Sequence, residues 1–383
     1  MFRYTTALGM FLLGGVLPLL AAEPLGEADS QHSLSRFIKE GRLAGGVTWL
    51  SHEGEVARHA AVGKANLETG RPATTETMFA IASMTKPVTA TAVMILQDEG
   101  KLSVDDPVSK YIPEFADATL KDGTPAGEIT LRHLMSHTSG LGGDQRVHGT
   151  LAEATQELAA RPLDFAPGTK WQYSPGLTVC GRVIEIVAEQ PYETFLAQRI
   201  FKPLGMTDTT FRPTSAQRER IAVIYDLVDD ARQLAHAENR YGIRPADEGE
   251  GPNPSAGLYS TTSDMGAFYQ MILNGGMHDG RRIISAESIE EMTSLQTGNL
   301  RTGFTPGNGW GLGWCVVREP QGVSAMLSPG TFGHGGAFGT QGWIDPKRKA
   351  IFVLMIARVG LPNSDASDMR RIFQQQAVEM LRK

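Results

Sequence analysis

Short apolar runs suited to β-strands lie near both ends of the chain, with helix-length patterns between them. Gly46 to Ser51 and Glu55 to Val62 flank His52-Glu53-Gly54, which predicts a β-hairpin. Towards the other end, Thr331 to His334, Thr340 to Asp345 and Ala350 to Ala357 form three strand-like runs, split by Gly-rich and Asp-Pro turns. Helices are expected over Ser33 to Glu40 and from near Ser83 to Gly100, the latter as an amphipathic helix carrying Val88, Ala92, Val93, Ile95 and Leu96. Further helices are expected over Thr130 to Ser136, Leu151 to Ala160, Gly181 to Glu189 and Met369 to Leu381. Thr261 and Asp264 stand at capping-box spacing at another helix start. The charged, glycine-punctuated stretch from Asp226 to Gly251 reads as a surface loop or lid. These elements imply an α/β (α+β) architecture, in which the terminal segments share one antiparallel sheet and the middle packs as a helical lobe. A groove between two such lobes is a natural ligand site.

Composition narrows the class. The 383 residues are 41% hydrophobic and 20% charged, a globular balance, and the net charge of -6 supplies no basic stripe for nucleic acid. The first 22 residues differ: Arg3 precedes an apolar run from Ala7 to Leu20, and Ala21-Ala22 offers small residues for cleavage. That pattern predicts a secretory signal at 1–22, a secreted or periplasmic mature protein and no stable membrane anchor after cleavage. Residues 23–383 would form one domain, with an α/β lobe from 23–82 and about 255–383 around a helical lobe of about 83–254. An oxidising compartment permits one disulfide between Cys180 and Cys315, although two positions alone fix no pairing. Cys180 lies in an apolar-periodic run and reads as a buried thiol.

Three stretches carry candidate chemistry. Ser83-Met84-Thr85-Lys86 sets a hydroxyl and an amine three residues apart on one helix face, and a serine becomes a nucleophile when a neighbouring base takes its proton. In Trp171-Gln172-Tyr173-Ser174-Pro175-Gly176, a tyrosine in a turn can project its phenol into a groove; beside an ammonium such as Lys86 its pKa would fall. In Thr331 to Thr340 the glycines around His334 would let a ligand approach a strand edge, which could supply an oxyanion donor and pair with an extended substrate. Neither a G-x-S-x-G elbow nor an H-E-x-x-H zinc motif is present. His133 and His137 are spaced as metal ligands could be, but lack a third partner and read as structural.

Taken in order, the three stretches resemble the serine β-lactamase and penicillin-binding-protein superfamily, in the branch of class C β-lactamases, D,D-peptidases and family VIII carboxylesterases. Ser83 to Lys86 matches its S-x-x-K motif, Tyr173-Ser174-Pro175 its tyrosine motif, and His334-Gly335-Gly336 its K-T-G or H-x-G motif. Met78 to Ser83, Leu131 to Leu141 and Gly257 to Thr261 extend the resemblance, which runs from about Ser33 to the C-terminus. It implies Ser83 as nucleophile, Lys86 and Tyr173 sharing its proton with Tyr173 as base, and backbone N–H groups of Ser83 and Ala337 as the oxyanion hole. It implies His334 lining the pocket, Gly335 and Gly336 keeping the strand close to substrate, and no metal or organic cofactor.

Two departures bear on the substrate. Pro175 stands where relatives usually carry an asparagine that pairs with a substrate amide, and His334 stands where many carry lysine. Both favour small esters over peptides or penicillins. A β-lactamase, a D-alanyl-D-alanine carboxypeptidase, or a non-catalytic binding module on the same fold stay open as alternatives.

Overall fold

The computed structural model describes residues 32–143, 146–228, 233–237, 243–246, 249–303, 305–361 and 364–382. The proposed signal segment lies outside them. Thirteen strands occur among the described residues: β1 (Gly45–His52), β2 (Glu55–Gly63), β3 (Phe79–Ala80), β4 (Tyr225–Val228), β5 (Gln233–His236), β6 (Tyr259–Ser260), β7 (Met277–His278), β8 (Arg281–Arg282), β9 (Asn308–Trp310), β10 (Cys315–Val317), β11 (Phe332–Gly335), β12 (Gln341–Asp345) and β13 (Ala350–Ile356). Helices that matter below are α1 (Ser35–Lys39), α2 (Thr85–Asp98), α3 (Leu131–Met135), α4 (Leu151–Ala159), α5 (Gly176–Ala188), α6 (Thr262–Leu273), α7 (Ala286–Thr293) and α8 (Asp368–Met380).

Seven strands form one antiparallel sheet in the order β2-β1-β13-β12-β11-β10-β9. β1 pairs with β13, for example Val47 with Met355 and Trp49 with Val353, so the sheet joins the two ends of the described chain. Side chains alternate faces along a strand. On β13, Ile351, Val353 and Met355 join the core beneath α2 and α6. Phe352, Leu354 and Ile356 meet Phe37 of α1 and Met369 and Phe373 of α8. Covering both faces explains why β13 reads as an unbroken apolar run rather than an alternating one.

Several local expectations need correction. α2 is enclosed on every side from Thr85 to Leu96 rather than amphipathic. Its threonines turn their hydroxyls to internal acceptors: Thr91 to the Pro87 carbonyl, 2.8 Å, and Thr89 to the Pro254 carbonyl, 2.6 Å. α5 begins at Gly176, five positions earlier than its apolar pattern shows. There a Cβ would collide with the Leu134 carbonyl of α3, so a glycine lets the two helices approach. Thr261 caps α6, accepting from Asp264 N–H, but the Asp264 carboxylate does not close a capping box. It accepts instead from the Asp208 N–H and the Thr209 hydroxyl. Within the expected 226–251 loop, β4 and β5 form a hairpin, Tyr225 opposite His236. Cys180 and Cys315 are both buried free thiols.

Candidate active site

The nucleophile candidate sits on a pinned segment. β3 pairs with β6, and Ile81 N–H donates to the Leu258 carbonyl at 3.0 Å. The Ile81 carbonyl in turn accepts from the Thr340 hydroxyl at 3.1 Å. Ala82 follows in left-handed backbone, φ 47°, an uncommon conformation for a residue with a Cβ. Such strain at a buried residue marks a site whose surroundings over-determine it. A 3₁₀ turn over Ala82–Met84 then presents Ser83 ahead of α2, so the helix proper begins two residues after the serine.

Lys86 is fully buried, with Nζ 3.3 Å from Ser83 Oγ and donating to the Ser255 carbonyl at 2.8 Å. The same nitrogen lies 4.6 Å from the centroid of the Tyr173 ring. Burial holds the amine well below the ordinary lysine pKa, because desolvation disfavours the ammonium. Tyr173 hydrogen-bonds Ser83 through its hydroxyl, and burial pushes its phenol well above the usual range. This overturns the expected lowering. Desolvation of the phenol itself is the dominant influence, and the hydrogen bond to Ser83 offsets only part of it. Burial thus disfavours both the ammonium of Lys86 and the phenolate of Tyr173.

His334 Nδ1 lies 2.6 Å from the Gly335 carbonyl, an acceptor, so this nitrogen carries the proton. Nε2 is left as a buried acceptor without a hydrogen-bond partner among the described residues. Burial lowers the imidazole pKa to about 3, so it is neutral. His137 is likewise held well below its ordinary value by burial. Burial therefore disfavours the cationic form of all three bases.

β11 is not a sheet edge in its first half, contrary to expectation: Phe332 and Gly333 pair with β10. His334 and Gly335 extend beyond that partner. Ala337 lies in the turn after the strand, and neither its N–H nor that of Ser83 is bonded to a backbone carbonyl among the described residues. Backbone N–H groups of this kind are what a developing oxyanion requires. The glycines serve the protein's own packing before any ligand. A Cβ on Gly336 would strike the Ile81 carbonyl and the Thr340 hydroxyl, and one on Gly335 would strike the Asp365 carboxylate.

The expected residues thus come together, and several unforeseen ones join them. The Ser255 carbonyl holds Lys86, two residues before the Gly257–Thr261 run already singled out. Trp310 packs 5.7 Å from Tyr173 and 5.3 Å from His334 between ring centroids, on a strand without a sequence signal. His133 and His137 part company: His133 closes the α3 capping box with Thr130, whereas His137 faces Tyr173.

A family profile described as Beta-lactamase matches residues 31–377. The chain belongs to the beta-lactamase family. Esterase EstB of Burkholderia gladioli is 32% identical over 346 residues, covering 80% of this chain and 84% of that protein. Penicillin-binding protein 4 of Amycolatopsis lactamdurans is also 32% identical, over 327 residues, covering 83% and 81%. Among solved structures, EstCE1, a hydrolase with promiscuous acyltransferase activity, superposes with a TM-score of 0.77 at 26% identity, covering 92% of this chain and 97% of that one. As a beta-lactamase-family member with esterase and penicillin-binding relatives, the chain is a serine hydrolase built on the family's antiparallel sheet flanked by helices.

Proposed function

We propose that the chain hydrolyses small carboxylic esters through an acyl-enzyme on Ser83. The observation that carries this choice is the buried, neutral His334, which presents an acceptor where a lysine would present a cation. A substrate carboxylate would meet a lone pair there, which disfavours penicillins and peptide carboxylates. Pro175 supports the same reading, since it has no side-chain amide to pair with a substrate amide.

In the proposed cycle, neutral Lys86 takes the Ser83 proton as Oγ bonds the ester carbonyl carbon. The Ser83 and Ala337 N–H groups hold the oxyanion. Collapse breaks the ester C–O bond, and the proton returns through the Tyr173 phenol to the departing alkoxide. Water then gives its proton to the Lys86–Tyr173 pair as it attacks the acyl carbon; collapse breaks the acyl–Oγ bond, and the pair returns the proton to Ser83 Oγ as the acid leaves. The proposal gives Lys86 rather than Tyr173 the part of resting base, supported by burial, which disfavours both the ammonium and the phenolate.

The test is a panel of p-nitrophenyl butyrate, a chromogenic cephalosporin and a D-Ala-D-Ala peptide, run beside Ser83→Ala. The ester should turn over fastest, and Ser83→Ala should lower its kcat by about 10³-fold or more. A mutant as fast as wild type would remove Ser83 from the mechanism. Faster cephalosporin turnover would favour the β-lactamase reading, for which the penicillin-binding relative speaks. Silence on all three, without a mass shift from a serine-reactive probe, would favour a binding module. Export is part of the same proposal, supported by Arg3, the Ala7 to Leu20 run and Ala21-Ala22. Amino-terminal sequencing of the protein from a cell envelope fraction checks it, with Glu23 expected first.

A further inference from the structure

Tyr173 lies in a stretch without regular secondary structure, between Trp171 and the start of α5. A side chain on irregular backbone needs an external template to hold its position. One residue contacts the segment on both sides of the tyrosine and at the tyrosine itself. The His137 carbonyl accepts from Gln172 N–H at 2.9 Å. Its Nδ1 accepts from Ser174 N–H at 3.2 Å and lies 3.3 Å from the Ser174 hydroxyl. Its ring packs on Tyr173 at 4.5 Å between centroids, tilted by 38°.

The backbone of His137 is left-handed, φ 61°, which is uncommon for a residue with a Cβ. The residue is fully buried, so the protein maintains this conformation deep in its interior. Because Nδ1 accepts a backbone N–H, the ring proton resides on Nε2, fixing the tautomer. Trp310 stands nearly perpendicular to the ring at 4.9 Å and limits its rotation. Carbonyl, ring nitrogen and ring face are thus all committed to three consecutive residues.

We propose that His137 is the positioning residue of the site, holding the Gln172–Ser174 segment so that the Tyr173 hydroxyl meets Ser83. The inference rests on the proposed role of Tyr173 as proton relay. His137 need not touch substrate or take a proton. It acts through the tyrosine.

A double-mutant cycle on the full chain tests this with p-nitrophenyl butyrate. His137→Phe keeps an aromatic ring but removes the Nδ1 acceptor. It should lower kcat about 30-fold or more while KM stays within about threefold. His137→Asn, which tolerates left-handed backbone and offers an acceptor oxygen, should recover about tenfold of that loss. In a Tyr173→Phe background the His137→Phe cost should shrink to less than about threefold, since two residues acting as one unit are not additive. A full-size cost in that background overturns the positioning role, as does a single His137→Phe variant with near-wild-type kcat. Tyr173→Phe at wild-type rate would instead overturn the underlying role of the tyrosine. If circular dichroism shows His137→Phe to be unfolded, His137→Gly, which accepts left-handed backbone and removes the Nδ1 acceptor, is taken through the same cycle with the same criterion.

Discussion

At the scale of single residues, the site depends on groups that are absent as much as on those present. Gly336 has no Cβ because the Ile81 carbonyl and the Thr340 hydroxyl occupy that space. The Ile81 carbonyl belongs to the segment that turns through Ala82 into Ser83, so a methyl group at 336 would push on the nucleophile itself. Gly336→Ala should therefore lower kcat by about 10²-fold, since small misplacements near the reacting atoms are expensive, with a smaller loss of stability. Steady-state kinetics and urea melts on the same preparation check it; unchanged kcat would mean that the turn adjusts without moving Ser83. The motif residues themselves were legible in sequence because each is a distinctive type at a fixed spacing. Their protonation was not. The burial that disfavours the Tyr173 phenolate and the Lys86 ammonium is contributed by elements far apart in the chain. His137 illustrates the same limit. Its i,i+4 spacing from His133 lets both histidines read as structural, and nothing in that spacing shows that a left-handed backbone turns His137 towards Tyr173.

At the scale of elements, strands and helices with a strong local pattern were readable, and those dependent on partners were not. β13 is a continuous apolar run, and β1 and β2 bracket a clear turn, so their existence followed from the sequence. β9 and β10 span three residues each beside glycines, and only pairing in the finished sheet makes them strands. α2 misled for a related reason: its threonines look like a polar face until their hydroxyls find acceptors inside the protein. Close approach between elements is similarly silent in sequence. Gly342 of β12 lies opposite His334 of β11, and a Cβ there would enter the ring of Tyr269 on α6. Gly342→Ala should force α6 away from the sheet and cost about 1–3 kcal/mol of stability by overpacking. A lower urea midpoint at unchanged slope is the expected result. An unchanged midpoint would show that Tyr269 can swing aside freely.

At the scale of the whole molecule, the burial of basic side chains couples folding to pH. Unfolding releases His137 and His334 to titrate near 6.5, whereas in the folded protein His334 titrates at about 3 and His137 well below its ordinary value. Between those limits the unfolded chain binds more protons, so stability falls as pH drops below about 6.5, with each histidine contributing up to about 1.4 kcal/mol per pH unit. Lys86 acts with the same sign in a higher window. Its folded pKa is depressed, and the unfolded amine stays protonated up to about 10.4. Stability from this group therefore rises with pH until about 10.4, instead of levelling off near neutrality. Lys86→Met removes the titration while filling much of the same volume. Urea melts at pH 7, 8 and 9 should show wild type gaining on Lys86→Met at every step, and parallel curves would mean that Lys86 is charged in the folded protein. The same substitution should abolish ester hydrolysis, so the group whose burial costs the fold stability at neutral pH is the one the proposed chemistry requires.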